Sequence, residues 1–112
     1  MLKKELVAAS AEPLVLSLLN QGDSYGYAII QAIKQLSDDR IQWSDGMLYP
    51  VLHRLEKRGQ IRARWRVSET GRRRKYYSIR KSGRAALASM KEQWLVVHET
   101  LVQLWRLEHA QS

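Results

Sequence analysis

The chain has no cysteine, only two prolines and no long apolar run, and its central stretch is almost empty of acidic residues. Without cysteine, neither a disulfide framework nor thiolate zinc ligation is open to it, which fits a reducing cytoplasm. The longest apolar run, Leu14 to Leu19, is broken by Ser17 and falls far short of the roughly 20 residues a membrane span requires. The N-terminal stretch lacks the apolar core of a signal peptide. A soluble, cytoplasmic protein with no membrane partner is expected. No Gly-rich phosphate loop, nucleophile motif or well-spaced pair of carboxylates occurs, so no enzyme and no catalytic residue is expected. His98 and His109 have Glu99 and Glu108 beside them but not the i, i+4 pairing of a helical metal site, so neither metal nor cofactor is expected.

What is present is positive charge in one place. Between His53 and Arg84 stand thirteen Lys or Arg against two acids, Glu56 and Glu69, a local charge of +11. The remainder of the chain, with six basic and nine acidic residues, carries −3. Such asymmetry in 112 residues, one domain's worth of chain with a single small core, points to a polyanion as partner, because each neutralised phosphate releases condensed counterions. The plainer alternative is a solvated basic face that keeps the protein soluble.

The stretch from Ser44 to Gly59 organises the rest. Leu48, Val51, Leu52 and Leu55 recur at i, i+3, i+4 and i+7, the buried stripe of an amphipathic helix, and leave Tyr49, His53, Arg54 and Lys57 on the other side. Ser44 and Asp45 suit the N-cap, and Gly59 stands where a helix ends in a left-handed residue. Pro50 lies past the first turn and predicts a tight or kinked opening. Upstream, residues 2 to 20 read as a helix with Leu2, Leu6, Val7, Leu14, Leu18 and Leu19 on its apolar side, Pro13 dividing off a short leader. Ser24 is expected to cap a second helix that turns Tyr27, Ile30, Ile33 and Leu36 inward, and Trp43 to plug the space beneath the third.

After Gly59 the period changes to two. Ile61, Ala63, Trp65 and Val67 alternate with Arg62, Arg64, Arg66 and Ser68, one strand face apolar and the other basic. Ser68-Glu69-Thr70-Gly71 is turn chemistry, and Lys75 to Ile79 reads as the return strand with Tyr77 and Ile79 facing the core. From Ser82 to about His109 a helix without proline places Leu87, Met90, Trp94, Val97, Leu101 and Leu104 on a heptad seam, with Leu95, Val102 and Trp105 to one side. That is more apolar surface than one small domain covers, and it implies a two-fold homodimer; the monomeric alternative folds this helix back over the first. The expected fold is mainly α (α+β), a winged helix-turn-helix with a long C-terminal dimerisation helix. The expected division is a DNA-binding segment at 1–80 and a dimerisation helix at 81–112.

With these elements in place, the chain resembles the PadR family of bacterial transcriptional regulators along nearly its whole length. The resemblance lies in Tyr25-Gly26-Tyr27, in Leu48-Tyr49-Pro50 followed by Arg54-Leu55-Glu56, in Gly71-Arg72-Arg73-Arg74-Lys75-Tyr76-Tyr77, and in Gly83-Arg84. It is similar to the short subgroup, whose single C-terminal helix builds the dimer with the first helix. The resemblance implies a dimeric repressor of near-palindromic operators, in several members released by a phenolic or drug-like effector. One departure is Arg80-Lys81, where the family usually has Thr-Glu; positive charge there opposes the helix dipole and makes Ser82 the expected cap.

Arg72, Arg73, Arg74 and Lys75 are candidates for contact with phosphates or the minor groove, since guanidinium forks suit both. Tyr49, His53, Arg54 and Lys57 are candidates for the major-groove side of the third helix, and Ser44 for a phosphate at its N-terminus. Arg54 and Tyr49 have structural alternatives, pairing with Glu56 or packing on the second helix. Trp94, flanked by Met90 and Val97, is either a stacking platform for a small aromatic effector or simply dimer core. The rival functional reading is a winged-helix module for protein or RNA interaction without operator binding.

Overall fold

The computed structural model describes residues 2–111; Met1 and Ser112, the outermost residues of the two expected segments, lie outside the described residues. The elements are α1 (Lys4–Gln21), β1 (Ser24–Tyr25), α2 (Gly26–Leu36), α3 (Asp45–Lys57), β2 (Ile61–Val67), β3 (Arg73–Ile79) and α4 (Lys81–Gln111). Three helices and a hairpin thus precede one long helix, the mainly helical winged arrangement that the hydrophobic periods imply. One core, built from Val15, Leu16, Leu19, Ile29, Ile33, Leu48, Leu52, Leu55 and Ile61, joins all three N-terminal helices to the base of the hairpin.

α3 follows its sequence closely. Leu48, Val51, Leu52 and Leu55 are all buried, and Trp43 is buried with them. Ser44 Oγ accepts from the Met47 N–H at 3.3 Å, and the Met47 and Leu48 amides both reach the Ser44 carbonyl, so the opening turn is tight ahead of Pro50. At the other end Gln60 N donates to Leu55 O at 3.0 Å and Gly59 N to Glu56 O at 2.9 Å, a Schellman closure that uses the φ of +75° at Gly59.

Four expectations are corrected. Ser24 does not cap α2: Ser24 and Tyr25 pair with Tyr77 and Tyr76 as β1, making a three-stranded sheet in the order β1-β3-β2, and Tyr25 stands at the helix N-cap position without a side-chain cap bond. α2 buries Gly26, Ile29 and Ile33, while Tyr27 and Leu36 are exposed. α1 is not split at Pro13; burial of Ala11, Val15, Leu16 and Leu19 holds the helix on both sides of it, and Ala9, whose carbonyl Pro13 cannot serve, is exposed to water. Ser82 is not the cap of α4, which begins at Lys81; its hydroxyl donates to the Gly59 carbonyl at 2.7 Å.

The hairpin register runs from Ile61↔Ile79 to Val67↔Arg73. β3 starts at Arg73, so Arg73 and Arg74 are strand residues and the tip is Ser68 to Arg72, with Gly71 at φ +81°. Ile61 and Tyr77 lie in the core, but Trp65 and Val67 on the same face are 60% and 67% exposed, since the outer half of the hairpin extends past the helices. On α4, Leu87 is buried and Met90 packs at the core edge; beyond them the seam residues Trp94, Val97, Leu101 and Leu104 are exposed. No helix among the described residues is long and apolar enough to cross a membrane.

Candidate nucleic-acid interface

Between the hairpin and the N-terminal ends of α2 and α3 lies an open trough of about 690 Å³. Gly26, Tyr25, Tyr27 and Tyr49 line its helical side, and Trp65 with Arg72, Arg73, Arg74 and Lys75 lines the wing side. Tyr49 packs over Gly26: a Cβ at that glycine would come within 2.7 Å of the tyrosine hydroxyl and push the ring from this position. The fold therefore brings Tyr49 and the four expected wing cations around one concavity. His53 and Lys57 are exposed further along α3, one and two turns beyond Tyr49.

Three of the four wing cations, Arg73, Arg74 and Lys75, lie over rings. The Arg73 guanidinium carbon lies 5.0 Å from the Trp65 ring centre, that of Arg74 4.4 Å from Tyr25, and Lys75 Nζ 5.8 Å from Tyr77. On the outer face Arg66 stacks on Tyr76 at 4.7 Å and pairs with Asp23, while Tyr25 and Tyr76 meet edge to face at 5.1 Å. Cation–π contact restricts side chains that are otherwise floppy, so these cations are partly ordered before any ligand arrives.

Arg54 is tied down differently. Its Nε lies 3.5 Å from Glu12 Oε2, and Arg58 Nη1 donates to Glu12 Oε1 at 2.7 Å, so a carboxylate of α1, not Glu56, holds two arginines of α3. Ser44 remains the N-cap and is exposed at the start of α3. Tyr77 ties α3 to the sheet from below. Burial pushes its phenol up to about 12, with Tyr49 and Glu56 adding to the shift.

Sequence reasoning names Tyr25, Tyr27 and Trp65 without giving them a place at this site, and singles out neither Glu12 nor Asp23. A signal for Trp65 and Tyr76 existed in the alternation of Arg with aromatics along the two strands; nothing local announced Glu12, whose partners stand more than forty residues away. Midway along α4, Met90, Gln93, Trp94 and Val97 line a shallow pocket of about 260 Å³. Trp94 also closes an apolar groove against Pro13 and Leu14 of α1.

A third helix capped and exposed on one side, a cationic hairpin and the trough between them define a winged helix-turn-helix protein. The family model described as the transcriptional regulator PadR-like family matches residues 15–89. An uncharacterised protein of Lysinibacillus sphaericus is 32% identical over 101 residues, covering 90% of this chain and 93% of its own. A transcriptional regulator from Clostridium thermocellum superposes with a TM-score of 0.82 at 30% identity, over 92% of this chain and 97% of that one. A PadR-like transcriptional regulator from Bacillus cereus gives 0.80 at 28% identity, over 90% and 96%. The chain belongs to the PadR-like family of transcriptional regulators; it is a regulator, not an enzyme.

Proposed function

We propose that this chain is a dimeric repressor that binds near-palindromic operator DNA, with residues 1–80 as the DNA-binding segment and 81–112 as the dimerisation helix. The carrying observation is the trough, in which Tyr49 of α3 and Arg72, Arg73, Arg74 and Lys75 of the wing share one surface. On this reading Tyr49, His53 and Lys57 face the major groove, the wing cations take phosphates or the minor groove, and Ser44 with the first amides of α3 meets a phosphate. Arg54 joins them at the groove edge when Glu12 releases it. The exposed seam of α4 supports self-association, and the pocket of Met90, Trp94 and Val97 supports a small aromatic or hydrophobic effector bound beside it. Cytoplasmic location follows from the same reading.

Fluorescence anisotropy on a labelled duplex from the gene's own upstream region and on a shuffled duplex, at two salt concentrations, tests this. Operator binding gives a preference of roughly a thousandfold or more for the native duplex. Equal, steeply salt-dependent binding to both would leave only phosphate contact, and no binding at low salt would remove DNA as the partner. For the effector, Trp94→Ala should abolish ligand-induced release and leave operator affinity unchanged.

A further inference from the structure

Among the aromatic side chains that line the trough, Trp65 stands on the wing side with the cations. Trp65 is 60% exposed although it stands on the apolar face of β2, and it is the only tryptophan lining this concavity. Across from it stands Tyr49, and against it lies the Arg73 guanidinium, 5.0 Å from the ring centre. The trough is too open to enclose a free small molecule, yet it sets aromatic faces beside cations. A deoxyribose flanked by phosphates has the same alternation. Resting on the DNA-binding reading above, we propose that Trp65 is a positioning contact for the operator, packing its ring on the sugar–phosphate backbone of one strand between α3 and the wing while holding Arg73 toward the adjoining phosphate.

The sugar is common to every nucleotide, so this contact adds affinity and sets the distance between α3 and the wing without reading sequence. It also removes apolar area from water upon binding, a contribution that salt does not screen. A phosphate contact behaves oppositely: its loss lowers the salt slope by about one unit. The two kinds of contact are therefore separable in one experiment.

Trp65→Ala, Trp65→Phe and Arg73→Ala would be titrated by anisotropy against native and shuffled duplexes across a series of salt concentrations, with thermal melting as a check on folding. Trp65→Ala should weaken binding to both duplexes roughly tenfold, as loss of a buried aromatic anchor does, with a fall in salt slope smaller than that of Arg73→Ala. Trp65→Phe should recover most of that loss, and Arg73→Ala should flatten the slope. Failure of the wild-type protein to bind either duplex would overturn the DNA reading itself. Wild-type binding with Trp65→Ala within twofold of it would overturn the proposal alone. A Trp65→Ala that melts early is replaced by Trp65→Phe against Trp65→Leu, and equal affinity of those two would also overturn it.

Discussion

Gly83 sits where no side chain fits. A Cβ there would lie 2.1 Å from the Gln60 carbonyl oxygen and 2.8 Å from Ile79 Cγ1, against backbone that the Arg80 amide already holds by a 2.9 Å bond to Gln60 O. Gly83→Ala should cost about 2–4 kcal/mol through forced displacement of α4 from the hairpin, read as a lower urea midpoint at unchanged m. Gly22→Ala, with nothing within 4 Å, should leave the midpoint almost where it is. The raised phenol of Tyr77 has its own signature. Its folded value, about 12, lies above the ordinary 10.0, so its contribution is complete below pH 10 and is lost as pH rises toward 12, where only the unfolded chain ionises readily. The loss is at most about 1.4 kcal/mol per pH unit across that window. Urea midpoints measured from pH 9 to about 12 should therefore fall more steeply for the wild type than for Tyr77→Phe.

At the scale of elements, the most consequential tie is the one that Glu12 makes between α1 and α3. The guanidinium side chains are about half exposed, so Glu12→Gln should cost less than about 1 kcal/mol in stability. The same change frees Arg54 and Arg58 and removes one negative charge beside α3. DNA affinity should rise several-fold at low salt and converge on the wild-type value at high salt; anisotropy decides it. An unchanged low-salt affinity would mean that neither arginine reaches DNA. Glu12 was illegible in the sequence because an ion pair across such a separation has no period. α3 was legible throughout, since its stripe, cap and Schellman glycine are local and agree with one another. β1 was not, because two residues make no pattern; what makes them a strand is their pairing with β3. Likewise the alternation of β2 correctly marks a strand, but it cannot say that the core ends after Ala63 and leaves Trp65 in the trough. The cationic members of the site were readable from charge density alone, while the aromatics that restrict them needed the register.

The whole molecule is longer than its residue count accounts for. Its radius of gyration is 16.6 Å, with extents of 62 × 29 × 22 Å, whereas a compact chain of this size has about 13 Å. The excess is α4, which leaves the core after Leu87 and carries Trp94, Leu95, Val97, Leu101, Leu104 and Trp105 into solvent, each 40% exposed or more. Apolar residues on a heptad step are costly to leave wet, and in the proposed dimer a second copy of the same helix would supply the complementary face. Light scattering on the purified protein should therefore give twice the 13.0 kDa chain mass. Leu101→Glu with Leu104→Glu should shift that mass to the monomer, since burying two unpaired carboxylates in such a seam costs several kcal/mol. Both positions lie past the core, so the monomer should still show the thermal transition of the winged helix. Its binding to a full palindrome should drop toward that of a half-site, because the geometry of two recognition helices about one helical turn of DNA apart exists only in the dimer. A monomeric wild type that keeps its full operator affinity would remove the dimer from the mechanism and leave α4 to some other partner.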